Sequence, residues 1–394
     1  MKESELLEVY DPQQVLEIKE QGRKALRAKV NGNKGHRTVF VKLKQAGLNW
    51  WAPLDFELRA PLSVLPVKWQ EEKGLAFKLE NNTAFPIQAR VRSESHGVIL
   101  RDSIALASGH TSDTITLSST DFMSGSNPIR LEWGAGNTRT ETIINWNIDS
   151  PVNTKWETVE LSAYFNKKVS EIFQQRYESP RVSSPTVQIP LQGVGNWCYP
   201  LVEAVIDDSG LRALAGSEGV FETPQGIPFA TPGPGEENNV IFTSLWDNFP
   251  DEVAIPLSGK ARHAYLLMAG STNPMQSRVD NGVVEVEYED GTKSALPLRN
   301  PDTWWPIEQD YYRDGYAFSW DQPFPPRVHL KTGLITREFD DYISIKGFSD
   351  RVVDGGAGTI LDLPLDPDKK LKSLKLKILA NEVVIGLMGV TLVR

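Results

Sequence analysis

The chain has 394 residues, a formal net charge of -9 and a pI near 5.3. That acidity, with no basic run to offset it, excludes a protein that tracks nucleic-acid phosphates, and no window of about 18 uncharged apolar residues is present to span a bilayer as a helix. One cysteine, Cys198, excludes an internal disulfide, and no Cys/His cluster has the spacing of a structural zinc site. The opening residues MKESELLEVYDPQQ lack the apolar core of a secretory signal, so the chain as written is expected to be soluble. Its 30 Gly, 26 Pro, 11 Trp, 10 Tyr and 15 Phe indicate short strands punctuated by turns, hence a mainly β protein of more than one domain.

In chain order, residues 1–60 read as a β-rich N-terminal segment. Val39, Val41 and Leu43 alternate with Phe40, Lys42 and Lys44 after a turn at Asn31-Gly32-Asn33. Trp50 and Trp51 follow, and in so short a β unit they read as cover for a core edge rather than as a sugar platform. Residues 61–150 read as an immunoglobulin- or fibronectin-like sandwich: Leu75, Phe77 and Leu79, then Ile87, Ala89 and Val91, alternate about the turn Asn81-Asn82. His96 and His110 beside Gly97 and Gly109 read as solvated turn residues.

Residues 151–187 form the expected linker, and Leu161, Tyr164, Phe165, Val169 and Phe173 recur at spacings of three and four, which predicts one helix within Thr154–Tyr177. Residues 188–394 are the last predicted domain. Val253–Leu257 and Ala264–Met268 read as buried strands, and Val284, Val286 and Tyr288 alternate with Glu285 and Glu287 before a hairpin at Asp290-Gly291. The nearly unbroken apolar run Val383–Val393 requires a strand that is central or covered on both faces.

The order GIPFATPG (Gly226–Gly233), SLWDNFPDEVAIPLSGKARHAYLLMAGST (Ser244–Thr272) and VEVEYEDGT (Val284–Thr292) resembles galactose-binding-like jelly rolls attached to bacterial glycoside hydrolases. With GNWCYP (Gly195–Pro200), IDDSGLRA (Ile206–Ala213) and VIGLMGVTL (Val384–Leu392), roughly the last half of the chain is similar to the C-terminal β-sandwich region of large six-hairpin glycosidase-like proteins from polysaccharide-degrading bacteria. The resemblance implies a galactose-binding-like jelly roll for residues 188–394, which with the immunoglobulin-like sandwich read for residues 61–150 gives tandem β-sandwiches with one linker helix. It also implies a carbohydrate or a catalytic glycosidase domain as partner, and an extracytoplasmic location. The helical barrel that carries catalysis in such proteins has no room here, since no run of paired helices is visible.

Asn300–Pro326 is the stretch where binding is expected, because connections this long in compact domains are often functional. It holds Trp304, Trp305, Tyr311, Tyr312, Tyr316, Phe318 and Trp320 among Asp302, Glu308, Asp310, Arg313, Asp314 and Asp321. Sugars need flat aromatic surfaces bordered by carboxylate, amide or guanidinium groups, and both kinds are present; packing of these rings over the sandwich is the competing reading. Trp246, Asp247 and Asn248 form a second candidate edge. For a hydrolase, the available carboxylate pairs are Glu308 with Asp310 and Asp340 with Asp341. Asp207-Asp208 and Asp350 with Asp354 read as solvated turns, with a structural calcium as the alternative. Ser209-Gly210, Ser258-Gly259, His263 and His329 lack the context of a catalytic serine site, and Cys198 reads as a packing residue. The expectation is a non-catalytic carbohydrate-binding or structural accessory portion of a glycoside-hydrolase system needing no cofactor, with a glycoside hydrolase and a protein–protein scaffold as the rivals.

Overall fold

The computed structural model describes residues 4–30, 35–67, 74–93, 99–118, 120–134, 136–174, 204–245, 249–272, 277–311, 323–340, 342–345, 349–381 and 383–394. It is mainly β, with several sheets and one α-helix among the described residues. At the N-terminus, two 11-residue strands, Gly35–Gln45 and Leu48–Leu58, form a hairpin whose other side is paired by Glu5–Tyr10. Ala46 and Gly47 close the hairpin with φ of 53° and 86°, the positive values that a two-residue turn matching strand twist demands. Val39 and Val41 are buried on one face. Trp50 and Trp51 do not cover a core edge: they are 45% and 44% exposed, because period-two alternation on a terminal strand sends them to opposite faces, with no further strand beyond it among the described residues.

Next, Leu62–Pro66, Leu75–Asn81 and Ile115–Leu117 form one sheet, and Ile87–Ser93, Ile99–Leu106, Gly125–Trp133 and Asn137–Asn145 form another. In Ile87–Ser93 the side chains of Ile87, Ala89 and Val91 are buried while Gln88 and Arg90 face water, so one face of the sheet is dry. These three pack with Leu75, Phe77, Leu79, Ile129 and Leu131 in one core between the two sheets. Asn81 is fully buried at the turn, and its amide donates to the carbonyls of Phe85, Leu106 and Ala107, which fixes the chain where backbone groups would otherwise be unpaired. His110 is an exposed turn residue, and His96 lies outside the described residues.

The C-terminal region stacks two sheets. The larger runs Trp156–Thr158, Val383–Val393, His263–Thr272, Ala357–Pro364, Arg327–His329, Ile335–Thr336, with Ile241–Ser244 as a further partner of Val383–Val393. The smaller runs Glu252–Pro256, Leu371–Ile378, Asp280–Tyr288, Lys293–Arg299. Leu266, Met268, Ile385, Leu387 and Leu392 of the large sheet meet Val284, Val286, Leu374 and Leu376 of the small one. On its other face, Tyr265, Leu267, Val384 and Met388 pack with Phe221, Phe229, Val169, Ile307 and Leu330. Being covered on both sides, Val383–Val393 and His263–Thr272 are buried at every position, which explains their lack of alternation. Asp280–Tyr288 alternates as expected and turns at Asp290-Gly291. The strand expected at Val253–Leu257 is instead an edge strand, Glu252–Pro256, with only Ile255 fully buried; an edge is where Pro256 is tolerated.

The helical spacing in Thr154–Tyr177 does not produce an α-helix in the described part of that segment, which forms a strand, turns and a 3-10 turn at Val169–Glu171. Leu161, with Tyr164 and Phe165, belongs to the core between the two C-terminal sheets, whereas Val169 and Ile172, with Phe173, belong to the core on the opposite face. A single helix cannot present one stripe to two cores separated by a sheet, so the segment wraps the sheet edge. The α-helix is Ser209–Ala215.

The sheet containing Gly125–Trp133 meets the large C-terminal sheet through a buried polar junction. Asp362 accepts hydrogen bonds from the Ser126 amide at 2.7 Å and hydroxyl at 3.1 Å, and His263 Nε2 lies 2.8 Å from the same carboxylate. The Tyr265 hydroxyl donates to the Ser124 carbonyl at 2.7 Å. Gly125, at φ +93°, sits where a Cβ would come within 2.7 Å of the Asp362 carboxylate, so only glycine permits this approach.

Candidate functional site

Asn300–Pro326 leaves the small sheet after Lys293–Arg299 and returns at Arg327–His329 of the large one. Its first residues fold inward. Trp304 is 1% exposed and lies in the core between the sheets, while Trp305, 2% exposed, meets Tyr311 edge-on at 5.3 Å between centroids. Tyr311 stacks on Phe324 at 4.1 Å with the rings nearly parallel, and its hydroxyl donates to the Pro325 carbonyl at 2.6 Å. Tyr311 and Phe324–Pro325 thus form a closed neck. Rings walled in this way have no face to offer a sugar, so Trp304, Trp305 and Tyr311 are packing residues in this fold. Tyr312, Tyr316, Trp320, Trp246, Asp247 and Asn248 lie outside the described residues, as does Cys198.

Beneath the neck is a cluster of buried charges. Ile307 and Glu308 lie in a turn that the Gln309 amide closes onto the Pro306 carbonyl at 3.3 Å; the Ile307 amide donates to the Gly270 carbonyl at 2.7 Å, and the Val353 amide to the Glu308 carbonyl at 2.9 Å. Its centre is Arg327, fully buried, whose guanidinium donates to the carbonyls of Pro306 and Ala357 at 2.9 Å each and to that of Gln309. The same group lies 5.3 Å from the Tyr311 ring and 5.8 Å from the Phe339 ring, within cation–π range. Burial pulls the Arg327 pKa down and pushes that of Tyr311 up.

Glu308, 1% exposed, accepts from the Ser271 hydroxyl at 2.9 Å, while its second oxygen has no hydrogen-bond partner among the described residues. Burial raises its pKa from 4.5 to about 7, against the smaller opposing effects of the Ser271 hydrogen bond and Arg327. Asp310 accepts from the Tyr342 hydroxyl at 2.6 Å and from Arg351 Nη2 at 3.0 Å. Both carboxyl groups are buried, Glu308 desolvated and Asp310 paired through Oδ2, each leaving one buried oxygen without a partner among the described residues. A glycosidase needs its acid and base to flank a bound sugar, and this arrangement ties the neck to the sheets instead. Of the other proposed pair, Asp340 is exposed and Asp341 lies outside the described residues.

Glu308 carries a pH prediction. Unfolded, the group ionises near 4.5; folded, near 7; between these values the folded state holds the extra proton. Its favourable contribution is thus full below about pH 4.5 and lost as pH rises through 7, a difference of about 3 kcal/mol. Urea denaturation of Glu308→Gln should show the variant gaining on the wild type by about that amount between pH 5 and pH 8. Parallel stability profiles would contradict the assignment.

Among the described residues no group of three or more His, Cys, Asp or Glu is placed to hold a metal ion. Asp208 is engaged by Arg212 at 2.9 Å and by the Asn239 amide at 2.6 Å, and Asp354 is paired with Lys331. No helix among the described residues is long and apolar enough to cross a membrane. Sequence reasoning missed Arg327, Ser271, Tyr342 and Arg351. The only local signal was an arginine opening the short strand Arg327–His329, and an arginine at a strand end is ordinarily solvated.

No known protein family matches the chain, and no curated protein matches it. Among solved structures, a SusE-like protein aligns over 84% of this chain and 95% of its own, with 8% identity and a TM-score of 0.20, far below the score of a shared fold.

Proposed function

We propose that this chain is the non-catalytic accessory portion of a glycoside-hydrolase system, in which the C-terminal β-structure binds or positions a glycan or braces a catalytic partner. What supports the reading is the stem of the aromatic loop: Trp305, Tyr311, Phe324 and Arg327 are locked into the fold, so the chain from Tyr312 to Trp320 departs from two fixed points. Preorganised ends lower the entropy lost when a loop closes on a ligand. In this proposal Tyr312, Tyr316 and Trp320 supply the stacking faces, with Trp246, Asp247 and Asn248 as a second contact. The galactose-binding-like resemblance of Gly226–Thr292 points to the same ligand class and to the periplasm or cell surface. The proposed organisation is an N-terminal β segment 1–60, an immunoglobulin-like sandwich 61–150, a connecting segment 151–187 and a jelly-roll-like unit 188–394.

Calorimetric titration of the full chain with plant and host polysaccharides tests this. Trp320→Ala or Tyr316→Ala should weaken binding about tenfold or more, equivalent to about 1.4 kcal/mol. Silence across the panel would leave bracing of a partner as the role. Hydrolysis of a polysaccharide that disappears in Glu308→Gln or Asp310→Asn would overturn the non-catalytic reading.

A further inference from the structure

The N-terminal sheet carries a feature that core formation does not explain. Its register sets Tyr10, Phe40 and Pro53 side by side across the three strands, and beside that row sets Glu8, Lys42 and Trp51. Both rows lie on the face opposite Val39 and Val41, whose own face is buried at its centre while Trp50 and Leu54 on the edge strand stay 45% and 48% exposed. On the wet face Tyr10 is 57% exposed and Trp51 44%. Tyr10 and Phe40 touch at 6.3 Å between ring centroids, and the Lys42 ammonium lies 5.5 Å from the centre of the Trp51 ring.

The charged groups between the rings are already matched. Lys42 pairs with Glu8 at 3.4 Å, and Asp55 accepts from the Thr38 hydroxyl at 2.6 Å. The face is therefore a shallow aromatic strip, about 10 Å wide across three strands, edged by polar groups whose hydrogen-bonding capacity is only partly used. A protein partner would bury these ion pairs at the cost of their hydration, and a contiguous apolar centre of the kind protein interfaces use is missing. A glycan chain suits the pattern better, laying C–H faces on the rings and hydroxyls on the rim. The acids of this face are paired in turn, Glu5 with Arg23, Glu8 with Lys42 and Glu57 with Arg59, which leaves little net charge to attract an ionic polymer.

We propose that the face of the N-terminal sheet bearing Tyr10, Phe40 and Trp51 binds an uncharged polysaccharide strand, at a site separate from the C-terminal aromatic loop. The site does not depend on that loop's proposed role. Affinity electrophoresis of the full chain tests it in gels containing galactomannan, mixed-linkage β-glucan, arabinoxylan or xyloglucan, with polygalacturonate as the acidic comparison. At least one neutral polymer should retard the protein. The apparent Kd should rise about tenfold or more in Trp51→Ala, and less than about twofold in Trp50→Ala, which alters the opposite face. Tyr10→Ala, milder for the fold, should weaken binding in the same direction, with circular dichroism confirming an intact sheet. Any one of four results overturns the proposal: no neutral polymer retards the chain, Trp50→Ala matches Trp51→Ala, polygalacturonate is preferred, or light scattering reveals self-association that Trp51→Ala abolishes. Loss of binding in Trp320→Ala with full binding in Trp51→Ala would support the loop and refute this face, and the converse would do the reverse.

Discussion

Deletion of Ile385–Arg394 is expected to abolish cooperative folding of the C-terminal region. The missing residues include Ile385, Leu387, Met388, Val390, Leu392 and Val393, all buried, and each such side chain contributes about 1.5–3 kcal/mol on burial. The sum is on the order of 10 kcal/mol, comparable with the entire stability of a typical domain. Hydrogen bonding would fail as well, because this strand pairs with His263–Thr272 on one side and with Trp156–Thr158 and Ile241–Ser244 on the other. Near-ultraviolet circular dichroism during heating should show the aromatic signal of Tyr265 and Trp304 lost without a sharp transition. A truncated chain that kept a sharp transition would refute the central placement of the strand.

Arg327→Ala is expected to cost about 3–5 kcal/mol in urea denaturation, from leaving buried acceptors without their donor and opening a cavity. Three carbonyls, of Pro306, Gln309 and Ala357, would lose their donor in a space sealed from water, and the aromatic contacts with Tyr311 and Phe339 would become a cavity. Arg327→Lys should be intermediate, since a single ammonium cannot span three divergent carbonyls as the planar fork does. A change below about 1 kcal/mol in the alanine variant would show that the guanidinium is not the pin of the neck.

The β character, the alternation in Leu75–Asn81 and Asp280–Tyr288, and the double-sided burial of Val383–Val393 were legible because strand periodicity depends on which faces are wet, and the apolar pattern records that directly. The helix expected near Leu161 and Val169 was misleading for a related reason. Spacing counts apolar residues without saying which core receives them, and here they go to two. Trp50 and Trp51 were legible as a notable pair, yet their exposure depends on no further strand lying beside Leu48–Leu58 among the described residues, which is a matter of topology.

The aromatic loop divides in the same way. Its composition marked the stretch, but nothing in the sequence marks Trp304, Trp305 and Tyr311 as rings that turn inward. That sorting is made by Gly270, Ser271, Phe324 and Arg327, which come from other points of the chain and meet the loop only once both sheets have formed. By itself, then, the sequence determined the fold class, the principal strand faces and the need to cover the last strand, because local alternation and burial set them. Only the tertiary structure decided which rings face water, where the buried carboxyl groups sit and what holds the neck closed, because each depends on groups far apart in the chain sharing one desolvated space.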